Sequence, residues 1–335
     1  MDTQDDKIYT IEDVARELGI SKTTVSRAIS GKGRVSELTR ERVLDFIKEH
    51  DYRPSVLARG LAMNKTYNLA VVFPLDYRNT ELYFFQECLD GCTEAAFENN
   101  YDILVTITGQ QDLRHIQRLV TDRKVDGMIL TRSTNDTVIQ DFLKLKKVPF
   151  VLMGHSDDPD VVWIDNSNRE ACREMTDILF KKGMKSLALI GGDLSHTVTQ
   201  NRYRGFMDAC ENSQAGRDDS LIFMGADSYE EIRRAVERSL EAGAECIVCM
   251  DDSIAYRVTY CLREMQVPAP ERIKVASFYD SALMESCVPP VTSIKFDTKA
   301  LVRNACRKLL KMLGEEPCGE EAPLTYQLIF RKSTQ

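Results

Sequence analysis

From residue 68 onward the chain alternates short apolar runs with longer amphipathic segments, a pattern that leaves few possible architectures. Eight runs have the length and composition of buried strands: NLAVVF, YDILVTI, DGMILT, PFVLM, SLALIGG, SLIFMG, ECIVCM and IKVASF. Helical patterns lie between them, for example at residues 86–99 and 228–242. Repeated strand–helix units predict an α/β fold with parallel sheets covered by helices on both faces. This number of strands favours two sheets over one.

The composition is that of a globular protein without a membrane anchor. At 335 residues the chain is long enough for two or three domains. No stretch approaches the ~18–20 apolar residues of a membrane span, and the opening MDTQDDKIYT lacks the regions of a signal peptide. We therefore expect a cytoplasmic protein with no membrane partner, and we expect its ten cysteines to be reduced thiols.

The net charge of −8 is unevenly distributed. Residues 67–335 hold 32 basic and 41 acidic side chains, whereas residues 1–66 hold 12 and 11. Within the first part, residues 19–36 contain four basic side chains and no acidic one. A small basic stripe on an acidic protein favours local contact with phosphate groups, although an ordinary basic loop would have the same composition.

The first thirty residues carry the signals of two short helices joined by a tight turn. Thr10 is a predicted N-cap with Asp13 three residues later, so a helix should begin directly after it. Gly19 supplies the conformational freedom of a turn, and Ser21 can cap a second helix that Gly31 would end. Two helices joined in this way predict a helix-turn-helix.

The second helix of this pair has two unlike sides. At about 100° per residue, its inner side holds Thr24, Val25, Ala28 and Ile29. Its outer side holds Lys22, Thr23, Ser26, Arg27 and Ser30. Short polar and basic side chains suit a helix that enters the major groove of DNA. A small helical bundle whose polar surface only meets water would show the same pattern, so the pattern alone leaves both interpretations open.

A third helix and a short segment complete this region. The third helix is predicted to begin near Ser36, and Pro54 stops it before residues 56–64. A nine-residue helix that contains Gly60 is marginal in water and should need a partner to fold. Leu61 at its middle can either wedge between base steps of DNA or pack on the following domain as part of a linker.

The segment YTIEDVARELGISKTTVSRAISGKGRVSELTRERV, followed by YRPSVLARGLA, resembles the DNA-binding headpiece and hinge of the lactose-repressor (LacI) family of bacterial transcription regulators. The resemblance is almost gapless, and TVSR followed by G-x-x-x-VS-x-x-TR is its most specific part. It implies an all-α helix-turn-helix headpiece at residues 1–54 and a hinge helix with linker at residues 55–67.

The resemblance also implies which side chains meet DNA. Base or groove contacts are implied for Lys22, Thr23, Arg27, Ala58 and Leu61. Phosphate contacts are implied for Thr10, Ser21, Ser26 and Ser36. Ser55 stands where the family usually has Asn, which leaves one hinge contact without its usual residue.

The resemblance continues through the rest of the chain. It is carried by the motifs FF at 84–85, G at 91, DN at 165–166, R-x-x-GF at 202–206, D at 252 and P-x-T at 290–292. It implies a periplasmic-binding-protein-like, effector-binding and dimerisation domain at residues 68–332, with the ligand in a cleft between two lobes. One lobe is expected at 68–164 plus 296–323, and the other at 165–295 plus 324–332.

Candidate effector-binding residues follow from the resemblance and from strand ends: Phe84, Phe85, Arg202, Asp251, Tyr279 and Asp280. A guanidinium suits vicinal hydroxyls or a carboxylate, and an aromatic face packs against the apolar side of a sugar ring. Without the resemblance, Phe84 and Phe85 would be assigned to the core. Tyr279 replaces a carboxylate that the family usually has, so no relative's ligand can simply be transferred.

No metal, cofactor or catalytic site is predicted. Cys246 and Cys249 are spaced like a redox or metal pair, but they lie in an apolar strand with no second pair or nearby His. The four histidines show no ligand spacing, and no G-x-S-x-G or Walker motif is present. Gly191-Gly192 lacks the spacing of a dinucleotide site and is interpreted as a strand-end turn.

These expectations combine into a dimeric regulator. Two recognition helices related by a two-fold axis would read a near-palindromic operator in double-stranded DNA. We expect the terminal YQLIFRKSTQ directly after the last strand. No leucine heptads follow it, which favours a dimer over a tetramer. The predicted function is repression of genes for carbohydrate uptake or breakdown, controlled by a small-molecule effector, most simply a sugar. A sugar-binding receptor, or a sugar-processing enzyme with a DNA-binding head, is the alternative, and whether the effector induces or corepresses stays open.

Overall fold

The computed structural model describes residues 9–30, 33–50, 60, 63–75, 82–109, 111–213 and 218–335, without the side chain of residue 30. The chain divides into two compact units, Met1–Thr66 and Tyr67–Gln335. The first is the headpiece and the second is the body. This division does not test the exact domain and lobe boundaries expected from the sequence, which stay predictions.

The headpiece contains three helices, α1 (Ile11–Leu18), α2 (Lys22–Ser30) and α3 (Glu37–Glu49). They enclose a small apolar core of Val14, Ala15, Val25, Ala28 and Val43. The predicted helix-turn-helix is therefore confirmed, because α1 and α2 pack together through a turn and α3 closes the core against both.

Local signals in the sequence explain where the headpiece helices begin and end. Thr10 and Asp13 form a capping box, in which the Asp13 backbone N–H donates to the Thr10 hydroxyl at 3.3 Å and the Thr10 backbone N–H donates to the Asp13 carboxylate at 3.0 Å. Gly19 ends α1 in the left-handed conformation, with φ 65° and ψ 30°. Ser36 caps α3 by accepting a hydrogen bond from the Thr39 backbone N–H. The predicted helix starts at Thr10 and Ser36 are both confirmed.

The body begins with a five-stranded parallel sheet in the order β2-β1-β3-β4-β5. The sheet and its helices form the first lobe. Its strands are β1 (Asn68–Pro74), β2 (Asp102–Thr108), β3 (Gly127–Leu130), β4 (Phe150–Met153) and β5 (Trp163–Ile164). The helices between them are α4 (Leu82–Glu98), α5 (Arg114–Thr121) and α6 (Val138–Lys146).

A six-stranded sheet follows in the order β11-β10-β9-β8-β6-β7, parallel except for β11. It forms the second lobe. Its strands are β6 (Leu187–Ile190), β7 (Ile222–Phe223), β8 (Cys246–Cys249), β9 (Lys274–Ser277), β10 (Thr292–Phe296) and β11 (Tyr326–Ile329). Its helices are α7 (Asn168–Lys181), α8 (Thr197–Asn212), α9 (Tyr229–Glu241), α10 (Asp252–Glu264) and α11 (Ala282–Ser286), with 3₁₀ turns at Asp219–Leu221 and Lys332–Thr334.

The chain passes between the two lobes three times. It leaves the first sheet after β5, and it returns after β10 as α12 (Thr298–Met312), which packs on α4. Gly91 of α4 allows this close approach, since a Cβ there would lie 3.1 Å from a Val302 methyl carbon. The chain then goes back to the second sheet as β11.

The predicted fold class is confirmed, with one error at the end of the chain. All eight apolar runs contain strands, but β5, β10 and β11 were not predicted. In particular, YQLIFRKSTQ does not follow the last strand, because Tyr326–Ile329 is itself the last strand and pairs antiparallel with β10. In the part of the chain described here, no helix combines the length and apolarity needed to cross a membrane.

Candidate functional site

The outer side of α2 is a continuous polar surface. Lys22, Thr23, Ser26 and Arg27 are exposed, whereas Val25 and Ala28 on the opposite side are buried. The first turn of α2 contains no acidic residue. The structure therefore brings the predicted base-reading side chains of α2 together on one face, as their spacing requires.

Two neighbouring residues limit the positions of the Lys22 and Arg27 side chains on this face. The Lys22 ammonium is paired with the Glu12 carboxylate of α1, and both side chains are exposed. A Cβ at Gly33, whose φ is +91°, would lie 3.1 Å from Cδ of Arg27. The chain after α2 thus passes close to the Arg27 side chain, and it can do so because residue 33 is glycine.

Three of the four predicted phosphate-contacting residues lie at helix N-termini. Thr10 and Ser36 cap α1 and α3, and the Ser21 hydroxyl accepts a hydrogen bond from the Thr24 backbone N–H at 3.1 Å. All three are exposed, as is the fourth, Ser26. Helix N-termini attract phosphate through their free N–H groups and the helix dipole, so this placement suits the predicted role.

The predicted hinge contacts lie outside the described residues. This applies to Ser55, Ala58 and Leu61, and also to Gly31 as the end of α2. Their roles stay predictions.

A small cavity lies between the two lobes of the body. Its volume is about 40 Å³, and its wall includes four of the six predicted effector-binding residues, Phe84, Phe85, Arg202 and Tyr279. The rings of Phe84 and Phe85 pack edge to face, with centroids 5.2 Å apart. We call this space the inner cavity.

Arg202 crosses the floor of the inner cavity from α8. It is 4% exposed, its Nε donates to Asn168 Oδ1 at 3.2 Å and its Nη1 donates to the Met250 carbonyl at 2.9 Å. Its guanidinium carbon also lies 5.6 Å from the centre of the Tyr279 ring. Arg202 is therefore held in place by the second lobe and presents a fixed cation to the cavity.

Tyr279 contributes an aromatic wall to the inner cavity. Its hydroxyl donates to Glu87 Oε2 at 3.4 Å and lies 3.4 Å from the Thr298 hydroxyl oxygen. Burial raises the pKa of Tyr279 well above its usual range, so the phenol stays neutral and keeps its proton for hydrogen bonding.

Asp251 and Asp280 do not line the inner cavity. Asp251 caps α10, and its Oδ1 accepts a hydrogen bond from the Ile254 backbone N–H at 2.8 Å. The Asp280 carboxylate accepts from Arg331 Nη1 at 2.7 Å and from the Ser293 hydroxyl at 2.5 Å. Both carboxylates thus hold parts of the second lobe together, and neither is part of the wall of the inner cavity.

A second, larger cavity adjoins the first. Its volume is about 240 Å³, and it lies beyond the carboxyl ends of β1, β2 and β3. Thr131 and Arg132 line both cavities, and Asp193 and His196 face this one from the second lobe. We call it the outer cavity. Its position agrees with the general preference of ligands for the carboxyl ends of parallel strands.

Several cavity residues were not predicted from sequence. Arg132 follows β3, and its guanidinium carbon lies 5.1 Å from the centre of the Phe85 ring. Ser133, Asn168 and Thr197 also line the inner cavity. Arg132 and Ser133 could have been found by the rule that selected Asp251, because both lie just after a buried strand.

The lobes are joined next to the cavities by a short backbone bridge. The Asn135 N–H donates to the Ser195 carbonyl at 3.0 Å, and the Thr197 N–H donates to the Ser133 carbonyl at 3.1 Å. Residues 133–135 belong to the first lobe and 195–197 to the second, and we call this pair of segments the latch. Thr134 and His196 stand directly opposite each other at its centre.

Asp165 is the carboxylate that enters the inner cavity. It lies in the first segment that crosses between the lobes, directly after β5. Burial raises its pKa to about 6, although hydrogen bonds from Asn166 and Asn201 and the charge of Arg202 act in the opposite direction. Among the described residues, no group of three His, Cys, Asp or Glu side chains could hold a metal ion.

Comparison with known proteins identifies both parts of the chain. Residues 10–55 match the family described as bacterial regulatory proteins, lacI family. Residues 176–334 match the periplasmic binding protein-like domain. The catabolite control protein A of Staphylococcus xylosus is 28% identical over 330 residues, which cover 97% of this chain and 99% of that protein.

Solved structures of similar proteins give the same result. A complex described as transcriptional regulator CelR with cellobiose is 26% identical, with a TM-score of 0.69 and coverage of 97% of this chain and 99% of that one. The lac repressor dimer bound to operator and the anti-inducer ONPF shares the fold, with a TM-score of 0.78 at 22% identity and coverage of 98% and 99%. The headpiece, the two-lobed body and these relatives lead to one finding: the chain combines a DNA-binding domain of the lacI family with a periplasmic binding protein-like domain, the arrangement of LacI-type transcription regulators.

Proposed function

We propose that this protein represses genes for the uptake or breakdown of a carbohydrate, and that a sugar bound between its lobes controls its affinity for an operator. The inner cavity is the observation that carries the sugar part of the proposal. It places Phe84 and Phe85 on one side and the fixed guanidinium of Arg202 on another, which is the combination of apolar faces and hydrogen-bond donors that sugar rings need.

The size of the inner cavity shows what binding would require. About 40 Å³ holds only a few water molecules, and a sugar ring is larger. The outer cavity, at about 240 Å³, is closer to the usual size of a small-molecule site. The proposed ligand therefore occupies both cavities through their shared wall at Thr131 and Arg132, and the latch between them has to open.

The DNA part of the proposal rests on the exposed face of α2. Lys22, Thr23 and Arg27 would contact bases, and Thr10, Ser21, Ser26 and Ser36 would contact phosphates. A homodimer would present two such faces to a near-palindromic site. Since its target is DNA, the protein would act in the cytoplasm.

The proposal includes no enzymatic activity. The carboxylates of Asp251 and Asp280 are bound to backbone and to Arg331, respectively, and neither is part of the wall of the inner cavity. Asp165 would be a single carboxylate there, and acid–base chemistry on a sugar needs a second group in position.

One titration tests both parts of the proposal. Fluorescence anisotropy of labelled duplexes with inverted half-sites should show binding at low ionic strength that weakens as salt rises. Cellobiose, maltose and related sugars should then change the operator affinity of the intact protein. Loss of DNA binding under every condition would contradict the regulator, whereas DNA binding that no sugar alters would contradict only the sugar effector.

A further inference from the structure

The carboxylate of Asp165 has an unusual place in the body. It lines the inner cavity together with Phe84 and Arg202, and it also lines a groove on the outside of the crossing segments, next to Trp163 and Leu324. Its backbone belongs to the first of the three connections between the lobes. A side chain that contacts the ligand at this position would also shift with any change in the angle between the lobes.

The partners of Asp165 leave room for a ligand. Its Oδ1 accepts from the Asn166 backbone N–H at 2.8 Å and from Asn168 Nδ2 at 3.2 Å, whereas the one donor to Oδ2 among the described residues is Asn201 Nδ2, at 3.4 Å. Among the described residues, no Lys or Arg nitrogen lies within ion-pair distance of this carboxylate. A half-buried carboxylate whose donors are all neutral gains from an additional hydroxyl donor.

We propose that Asp165 is a ligand-contacting residue that accepts a hydrogen bond from an uncharged hydroxyl of the sugar and excludes a phosphate or carboxylate group from that end of the cavity. This inference rests on the proposed function, because it specifies the chemical class of the ligand. A hydroxyl donates to the carboxylate, whereas an anionic group would place like charges together in a half-buried site. The end of the ligand that contacts Asp165 is therefore a neutral sugar.

The charge state of Asp165 gives the proposal a distinct signature. The groups that face it are Arg202 from α8 and His155 from the segment after β4, together with the amides of Asn166, Asn168 and Asn201. With a pKa of about 6 in the free protein, the ionised acceptor is present above that pH and is lost as the pH falls through it. Ligand affinity should fall in the same direction.

The experiment measures sugar binding to the full-length protein through its single tryptophan. Trp163 lies two residues before Asp165 and is 39% exposed, so its fluorescence reports on this crossing segment. Cellobiose and maltose, each with and without a phosphate ester, are titrated at pH 5 to 8 against the wild type and the Asp165→Asn variant. The wild type should prefer the neutral sugar, and its affinity should fall by about ten-fold per pH unit below about pH 6.

The variant should bind the neutral sugar about ten-fold more weakly at pH 7.5, lose most of the pH dependence and discriminate less against the phosphate ester. Asp227→Asn is the matched control, since burial also raises the pKa of Asp227 but it lines neither cavity. His155→Gln should keep the wild-type pH profile.

Each outcome decides a separate point. Unchanged sugar affinity and an unchanged pH profile in Asp165→Asn would overturn the role of Asp165 and leave the proposed function intact. Stronger binding of the phosphate ester by the wild type would overturn the neutral class. No response of the wild type to any sugar would overturn the proposed effector and this inference together. Operator binding by Asp165→Asn, measured in parallel, confirms that the variant is folded.

Discussion

Arg27 lies on the face of α2 that is proposed to contact DNA. It is exposed on the outer side of α2, and the close passage of the chain at Gly33 limits the space on one side of it. A guanidinium that makes a bidentate contact to a base edge contributes about 1–3 kcal/mol of discrimination. Arg27→Ala should therefore weaken operator binding and relax the base preference at one position of each half-site.

Arg16→Ala is a suitable comparison for Arg27→Ala. Arg16 is also an exposed arginine of the headpiece, but it lies on α1 and pairs with Asp13. Its loss should reduce affinity for all duplexes about equally, if at all. Anisotropy titrations against a set of single-base operator variants separate the two results, and equal profiles for the two variants would argue against base contact by Arg27.

Arg202 allows a conservative test of the cavity. Lysine keeps the positive charge but cannot donate simultaneously to Asn168 and to the Met250 carbonyl in the planar geometry of the guanidinium. Arg202→Lys should bind operator like the wild type and lose most of its response to sugar. Replacement by alanine should in addition lower the free energy of unfolding by about 1–3 kcal/mol, because it removes partners from buried acceptors.

Operator affinity with and without sugar, together with a urea unfolding curve, separates these effects. A lysine variant that responds to sugar normally would show that only the charge of Arg202 matters. A variant that no longer binds operator would show instead that Arg202 is needed for the structure of the body.

At the scale of single elements, α1 depends on its capping box. The Thr10 hydroxyl and backbone N–H, in that order, hold the pKa of Asp13 down at about 2, from a usual value of 3.8. Because this pKa is lowered in the folded state, the contribution of Asp13 to stability is fully present above about pH 4 and is lost as the pH falls through about 2. Thr10→Ala should remove most of this dependence.

Hydrogen exchange of α1 amides between pH 2 and 5 measures the effect after correction for the intrinsic exchange rate. Ser228→Ala is the matched control, since Ser228 and Glu231 form a capping box on α9 in the body. It should leave α1 unchanged. Protection of α1 that is equal in the wild type and in Thr10→Ala would show that packing of the headpiece, not the cap, sets the stability of α1.

The same elements show what the sequence can and cannot predict. Helix starts at Thr10 and Ser36 were predictable because capping is decided by residues within one turn. Strand β10 was missed because Thr292 and Ser293 are polar yet fully buried, and their partners Arg331, Ser333 and Thr334 lie about forty residues away in the sequence. Strand β11 is only half-buried and has no continuous apolar run.

The candidate site divides in the same way. Phe84, Phe85, Arg202 and Tyr279 meet in the inner cavity, as the resemblance implied. Asp280 lies outside the wall of the inner cavity with its carboxylate bound by Arg331, and nothing in the local sequence indicates this partner. Arg132 and Asp165 enter the cavity from a strand end and a lobe crossing, and their proximity depends on how the two lobes meet.

At the scale of the whole molecule, the latch joins the two lobes beside the inner cavity, whose wall includes Ser133 and Thr197. Thr134 and His196 form the central pair of the latch, flanked by hydrogen bonds from Asn135 to Ser195 and from Thr197 to Ser133. A directly opposed pair without hydrogen bonds of its own has Cα atoms about 4.5 Å apart, which is within the range that a disulfide spans. Cysteines at these two positions should therefore cross-link the lobes on oxidation.

The double variant Thr134→Cys/His196→Cys tests whether sugar binding and operator binding are coupled through lobe opening. It also carries Cys318→Ser, because Cys318 is the one exposed native cysteine. When oxidised, it should bind sugar more weakly, because the latch cannot part and the inner cavity keeps a volume of about 40 Å³. Its operator affinity should then no longer depend on sugar, since ligand and operator share one coupling free energy. The reduced form of the same variant is the control and should respond to sugar again.

The operator affinity of the oxidised form would also show which state of the lobes binds DNA. High affinity would mean that sugar acts as an inducer by opening the lobes, and low affinity would mean that sugar acts as a corepressor. Unchanged sugar binding by the cross-linked protein would instead place the ligand in the outer cavity alone.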